Sequence, residues 1–138
     1  MLTRDQEYGA RIFKQISALK QEKDGGQKPA GYADSYGSMA HKLPVLIRSA
    51  GLAQALAFVE ARGKPAHRDL LDHLAKVVLN ENADGSQLAK KSRDTEQLSE
   101  YMYLTHEAMA ALLWYKRFAQ SVLDVDASDA TNEELETG

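Results

Sequence analysis

Residues 95–123 read TEQLSEYMYLTHEAMAALLWYKRFAQSVL, with no proline or glycine to interrupt them. Apolar side chains recur at Leu98, Tyr101, Met102, Thr105, Ala108, Met109, Leu112, Tyr115, Ala119 and Val122. That i, i+3/i+4, i+7 recurrence predicts one long helix with a buried face. The opposite line runs Glu96, Glu100, Tyr103, Glu107, Ala110, Trp114, Arg117, Ser121. It begins polar and then carries the single Trp of the chain, so the second half of the helix has apolar area to cover on both sides. An intrachain cover for Trp114 is expected from the fourth helix or from the helix after Gly51; the competing reading is a contact between subunits.

Working outward, every other segment also reads as helix. Thr3 and Gln6 have capping-box spacing, followed by an apolar stripe of Tyr8, Ile12, Ile16 and Leu19. Asp24 to Gly31 holds three glycines and a proline and reads as a loop. Helices are predicted near residues 3–23, 34–50, 52–62, 66–81 and 95–123. Pro44 predicts a break or kink inside the second, because proline cannot donate into a helix interior. QLAKKSRD, residues 87–94, reads as a short basic lead into the long helix, with Asp94 as its cap. No strand-like alternation and no internal repeat is present. The fold class is all-α: a compact single-domain bundle of five or six helices with a long C-terminal spine helix. Its core is expected to contain Ile12, Ile16, Leu46, Leu56, Leu74, Val78, Met102, Met109 and Leu112.

Composition narrows the function. The 138 residues suffice for one domain with a real core. At 43% apolar and 27% charged, the balance is that of a soluble globular protein. There is no apolar run of membrane-spanning length, the N-terminus lacks a signal-peptide core, and there is no cysteine, so a cytoplasmic location is expected. The net charge of −3 hides an asymmetry: residues 124–138 carry six acids and no base, leaving residues 1–123 with 17 bases against 14 acids. The division is therefore a helical domain, 1–123, and an acidic disordered tail, 124–138.

No catalytic constellation is evident. His41, His67, His73 and His106 are scattered, and neither Glu-x-x-His nor His-Glu-x-x-His occurs. Asp69 and His73 are four apart and read as a surface pair rather than half a metal site. No metal or other cofactor and no small-molecule substrate is expected. The helix–Gly51–helix segment could suggest a DNA reader, but the first turns after Gly51, Leu52 to Ala57, would pack rather than read bases. The basic residues suit a different role. Lys42 and Arg48 flank Pro44, Lys90 and Lys91 form the densest group with Arg93, and Lys116 and Arg117 adjoin Trp114, Tyr115 and Phe118. Arg4, Arg11 and Lys14 lie near one side of the first helix. Separated cations on an all-helical body can contact a nucleic-acid backbone, which needs no base-specific geometry.

Lys42-Leu43-Pro44 with Ile47-Arg48, then Gly51-Leu52 with Gln54 to Phe58, form one block. Tyr101 with Leu104-Thr105 and Glu107-Ala108, and Trp114 with Lys116-Arg117-Phe118, form another. In this combination the chain resembles the small helical subunit of type III-B CRISPR RNA-guided effector complexes (the Cmr complexes of the RAMP module), over most of residues 5–123. The resemblance implies a compact, non-enzymatic antiviral-defence protein present in several copies, stacked along the guide and target RNA. Its implied partners are the other subunits of the complex, further copies of itself, and guide and target RNA, with no membrane. RNA cleavage would belong to the backbone subunits, and nucleotide-cyclising and DNA-cleaving activities to the large subunit. The residues expected to contact RNA are Lys42, Arg48, Lys90, Lys91, Lys116 and Arg117. The alternatives are the small subunit of the related type III-A complex and a helical protein–protein adaptor with no nucleic-acid role.

Overall fold

The computed structural model describes residues 1–127, and all of its regular structure is helical. The order is α1 (Arg4–Asp24), α2 (Tyr32–Ala50), α3 (Leu52–Arg62), α4 (Pro65–Val78), α5 (Gly85–Asp94) and α6 (Leu98–Ser121). No helix among the described residues is long and apolar enough to cross a membrane. Part of the expected acidic tail, residues 128–138, lies outside the described residues.

Local chemistry sets most helix ends. Thr3 caps α1: its Oγ1 accepts from Gln6 N at 3.1 Å, and Thr3 N donates back to Gln6 Oε1 at 2.8 Å. Gly51, at φ +88°, both ends α2 and opens α3, a conformation that costs glycine little and any other residue a clash. Pro65 opens α4 at its first turn, where no backbone donor is needed.

Three expectations about the helices are corrected. Of the expected break or kink at Pro44, the break does not occur: α2 runs from Tyr32 to Ala50 with Pro44 buried inside it, and tertiary packing holds the helix where local propensity would end it. The helix expected to reach residue 81 stops at Val78, and Asn80 Oδ1 accepts from Asn82 N at 3.0 Å in the turn that follows. The segment read as a basic lead is a true helix, α5. Asp84 caps it, accepting from Gln87 N at 2.9 Å while Gln87 Oε1 accepts from Asp84 N. The long helix accordingly starts at Leu98, not Thr95, and Asp94 ends α5 instead of capping α6.

α6 packs against α1, α2 and α4. Its buried face is Leu104, Glu107, Ala108, Ala111, Leu112, Tyr115 and Ala119. The expected stripe is rotated from this. Met102, predicted in the core, is 62% exposed, and Leu98 is 71% exposed. Three alanines on the inner ridge let neighbouring helices approach closely, which a ridge of Leu and Met would prevent. Of the other expected core residues, Ile12, Ile16, Leu56, Leu74 and Leu112 are buried, while Leu46, Val78 and Met109 pack partly buried against them. Glu107, placed by the sequence on the solvent line, is instead buried. Its Oε1 accepts from Arg4, whose guanidinium also donates to the Tyr103 hydroxyl at 3.3 Å. The partner charge offsets the cost of burying the carboxylate.

Trp114 is covered within the chain, but by α1 and not by α3 or α4. Its ring lies on Gly9, where an added Cβ would come within 3.0 Å, and its Nε1 donates to Asp5 Oδ1 at 3.1 Å. Phe118 stacks on it at 5.6 Å and meets Phe13 edge-on at 5.3 Å. The successive pairs Arg4–Glu107, Gly9–Trp114 and Phe13–Phe118 run in the same sequence direction, so α1 and α6 lie parallel. At the far end the chain folds back over α2: Val125 is fully buried on Gly37, and its carbonyl lies 2.9 Å from His41 Nε2. The packed body therefore extends past residue 123.

Asp69 and His73 do not form a surface pair. Each meets a tyrosine of α2. The Tyr32 hydroxyl donates to Asp69, and the Tyr36 hydroxyl lies 2.6 Å from His73 Nδ1. Gln15 of α1 donates to the His73 carbonyl at 3.2 Å and accepts from the Tyr115 hydroxyl at 2.5 Å. Burial holds the Tyr36 and Tyr115 hydroxyls well above their ordinary range and pushes the His73 imidazole below its own. This polar seam ties α1, α2, α4 and α6 together.

The packing makes two outcomes testable. Trp114→Ala should cost about 3 kcal/mol, the lower end for a core Trp, and lower the melting temperature of the isolated chain by about 10 °C. Gly9→Ala should also destabilise, but much less in the Trp114→Ala background, because the three nearest atoms its Cβ would meet all belong to the indole. A strictly additive double variant would show that the two residues are not in contact. The second outcome concerns pH. The His73 pKa is depressed on folding, so the stability it confers is full above the unfolded value, about pH 6.5, and is lost as pH falls toward the folded value. Thermal melts between pH 7.5 and 5 should show a decline that is shallower in His73→Gln. An identical slope in the two proteins would remove His73 as a source.

Candidate nucleic-acid interface

The six basic residues singled out by the sequence come from three helices. Lys42 sits mid-α2, half-buried, with Nζ 5.9 Å from the Phe58 ring centre. Arg48 is exposed in the last turn of α2. Lys90 and Lys91 are exposed on α5, and Lys90 pairs with Asp94 at 3.0 Å, one turn on. Lys91 lines a depression of about 430 Å3 with Val78, Leu79, Thr95 and Tyr103. Lys116 is half-buried and Arg117 exposed near the end of α6.

These residues do not converge on one patch. Lys91 is beside the first turns of α6, whereas Lys116 lies about 20 Å farther along the axis from Tyr103 at 1.5 Å per residue. A strip of phosphates could meet such cations in turn; a compact anion could not. The surface pair Lys90–Asp94 also shows that part of this charge is already partnered.

Two basic features were not assembled from the sequence. Arg11, Lys14 and Gln15 of α1 face Lys76 and Glu81 across a groove of about 340 Å3. The i, i+3 spacing of Arg11 and Lys14 was visible, but only tertiary packing brings Lys76 of α4 beside them. Arg62, at the end of α3, lies 5.5 Å from the Phe58 ring centre, distant from Lys42 in sequence but beside the same ring in space.

No group of three or more His, Cys, Asp or Glu that could hold a metal occurs among the described residues. His41 and His67 are buried, His73 belongs to the tyrosine seam and His106 is exposed. The turn at Gly51 is a packing element: Leu52, Ala55 and Leu56 of the following helix are buried.

Comparison with known proteins agrees with this architecture. A family model described as "CRISPR-associated protein (Cas_Cmr5)" matches residues 4–122, from the start of α1 to the end of α6. A protein of Thermus thermophilus described as "CRISPR system Cmr subunit Cmr5" is 40% identical over 124 residues, which is 90% of this chain and 99% of that protein. The crystal structure of a CRISPR-associated Cmr5 family protein from the same organism superposes with a TM-score of 0.75 at 41% identity, covering 89% of this chain and 99% of that one. Fold and near full-length identity thus converge: the chain belongs to the CRISPR-associated Cmr5 family.

Proposed function

We propose that this protein is a non-catalytic small subunit of a type III-B CRISPR RNA-guided effector complex, acting in several copies that lie along the guide and target RNA. The observation that carries the reading is the near end-to-end match to a protein described as a Cmr subunit. The contribution to RNA is electrostatic. Lys42, Arg48, Lys90, Lys91, Lys116 and Arg117 present cations on three helices, spaced for a backbone and not for a single anion. A single copy offers only a few such contacts, so tight binding requires copies held in register by the assembly. Guide and target RNA, the other subunits and further copies of the chain are its partners in this reading.

An exposed apolar stripe supports the stacking of copies. Leu98, Met102 and Leu113 are 71%, 62% and 49% exposed and fall on one side of α6, with half-buried Met109 between them. A stripe of this kind on an otherwise well-packed helix marks a surface that is covered in an assembly.

Two experiments check these statements. Replacing all six basic residues with Ala should lower the target-RNA affinity of the assembled complex. It should also flatten the log–log salt dependence by roughly 0.7–0.9 per lost phosphate contact. Normal assembly with unchanged affinity and slope would mean that other residues meet the RNA. Leu98→Ser with Met102→Ser should leave the melting temperature of the isolated chain close to wild type, since both side chains are exposed, and reduce the number of copies per complex by native mass spectrometry. An unchanged copy number would place the copy–copy contact elsewhere.

A further inference from the structure

The outer face of the α2–α3 pair is built from a stretch of unusual composition. Residues 35–59 contain no Asp or Glu, although the chain has 20 of them. The other helices mix both signs along their surfaces, as in the pairs Lys20 with Asp24 on α1 and Lys90 with Asp94 on α5. The first acid after the stretch, Glu60, turns to Arg93 of α5 at 3.8 Å. The cations that α2 and α3 contribute here are Lys42, Arg48 and Arg62.

On this face stands an aromatic ring. Phe58 is 44% exposed, with Lys42 Nζ at 5.9 Å and the Arg62 guanidinium at 5.5 Å from the ring centre. Phe13, which is exposed to a similar degree, differs in that Phe118 packs edge-on against it. Both cations lie over the ring, near the outer limit of cation–π attraction, so a base that takes the ring face displaces them outward on their long stems. An exposed ring flanked by cations is the arrangement that holds single-stranded nucleic acid. The ring takes the face of a base and the cations take the phosphates.

We propose that Phe58, between Lys42 and Arg62, is a stacking platform for one unpaired base of single-stranded RNA, with the two cations on the phosphates flanking that base. The proposal rests on the RNA-contact reading above and goes beyond it: it assigns a base contact, adds Phe58 and Arg62, and predicts a preference for unpaired over duplex RNA. Because every base has a π-face, the contact is tolerant of sequence and favours bases that stack well.

The test uses the full-length chain at low salt and fluorescence anisotropy with two labelled probes of equal length, single-stranded oligoadenylate and a blunt RNA duplex. Phe58→Leu, which keeps apolar bulk but no ring, should weaken oligoadenylate binding about tenfold with the salt slope unchanged, and leave duplex binding as it was. Phe58→Trp should bind oligoadenylate at least as well as wild type. Lys42→Ala with Arg62→Ala should reduce the slope by about 1.4, two single-strand phosphate contacts. Wild-type oligoadenylate affinity in Phe58→Leu overturns the platform while leaving backbone contact intact. Loss of binding in Phe58→Trp as well overturns it too, since the effect would then follow altered folding and not the ring. If the wild-type chain binds neither probe and the sixfold Ala variant leaves the complex unaffected, platform and RNA reading fall together.

Discussion

The close approach of three helices to the alanine-lined ridge of α6 is the constraint on which the rest of this domain depends. Ala108, Ala111 and Ala119 are fully buried beside Leu112 and Tyr115, and α1, α2 and α4 all lie on that side. Small side chains bring helix axes to the short end of the usual range of about 8–10 Å. Glycines extend the same device to the neighbours. Gly9 of α1 receives the Trp114 ring, and Gly37 of α2 receives Val125, so both the second face of α6 and the chain beyond it find cover. Close packing of this kind tolerates little change in volume, which is why the aromatic cluster and the alanine ridge act as one unit.

Several polar groups inside this packing meet a partner on another helix, although Ser38 Oγ, His41 Nδ1 and Glu107 Oε2 are buried without a hydrogen bond. Glu107 is buried against Arg4, and the two tyrosines of α2 meet Asp69 and His73 of α4. Gln15 links the seam to α1 and to Tyr115. An apolar ridge alone would allow helices to slide or rotate; hydrogen bonds at fixed positions along four helices select one register. The interior is thus committed to holding shape, and the chemistry available to partners lies on the surface. There, separated cations, an exposed apolar stripe on α6 and the basic face around Phe58 offer three different kinds of contact.

Legibility in the sequence followed range. The capping box at Thr3–Gln6 and the helix boundary at Gly51 depend on residues a few positions apart, and each could be read directly. The box at Asp84–Gln87 was equally local, yet it passed unread because the basic run that follows it lacks a long apolar pattern; α5 buries only Gly85, Leu88, Ala89 and Ser92. Among the candidate contact residues, the sequence placed Lys42, Arg48, Lys116 and Arg117 on helices, whereas Lys90 and Lys91 fell in the segment read as a lead and stand on α5. The union of Arg11 and Lys14 with Lys76, and of Lys42 with Arg62 around Phe58, was not legible, because each joins residues from different helices.

The sequence by itself determined that this chain is a helical bundle, where most of its helices lie, and which family it resembles, because period, caps and breakers act within a turn or two of chain. Only the tertiary structure decided that α2 passes through Pro44, that Trp114 rests on α1, and that α6 turns its alanines inward and leaves Met102 outside. Both stripes of α6 satisfy the helical period, so periodicity cannot choose between them. The choice follows from how closely α1, α2 and α4 can approach, and that is a property of surfaces meeting from distant parts of the chain.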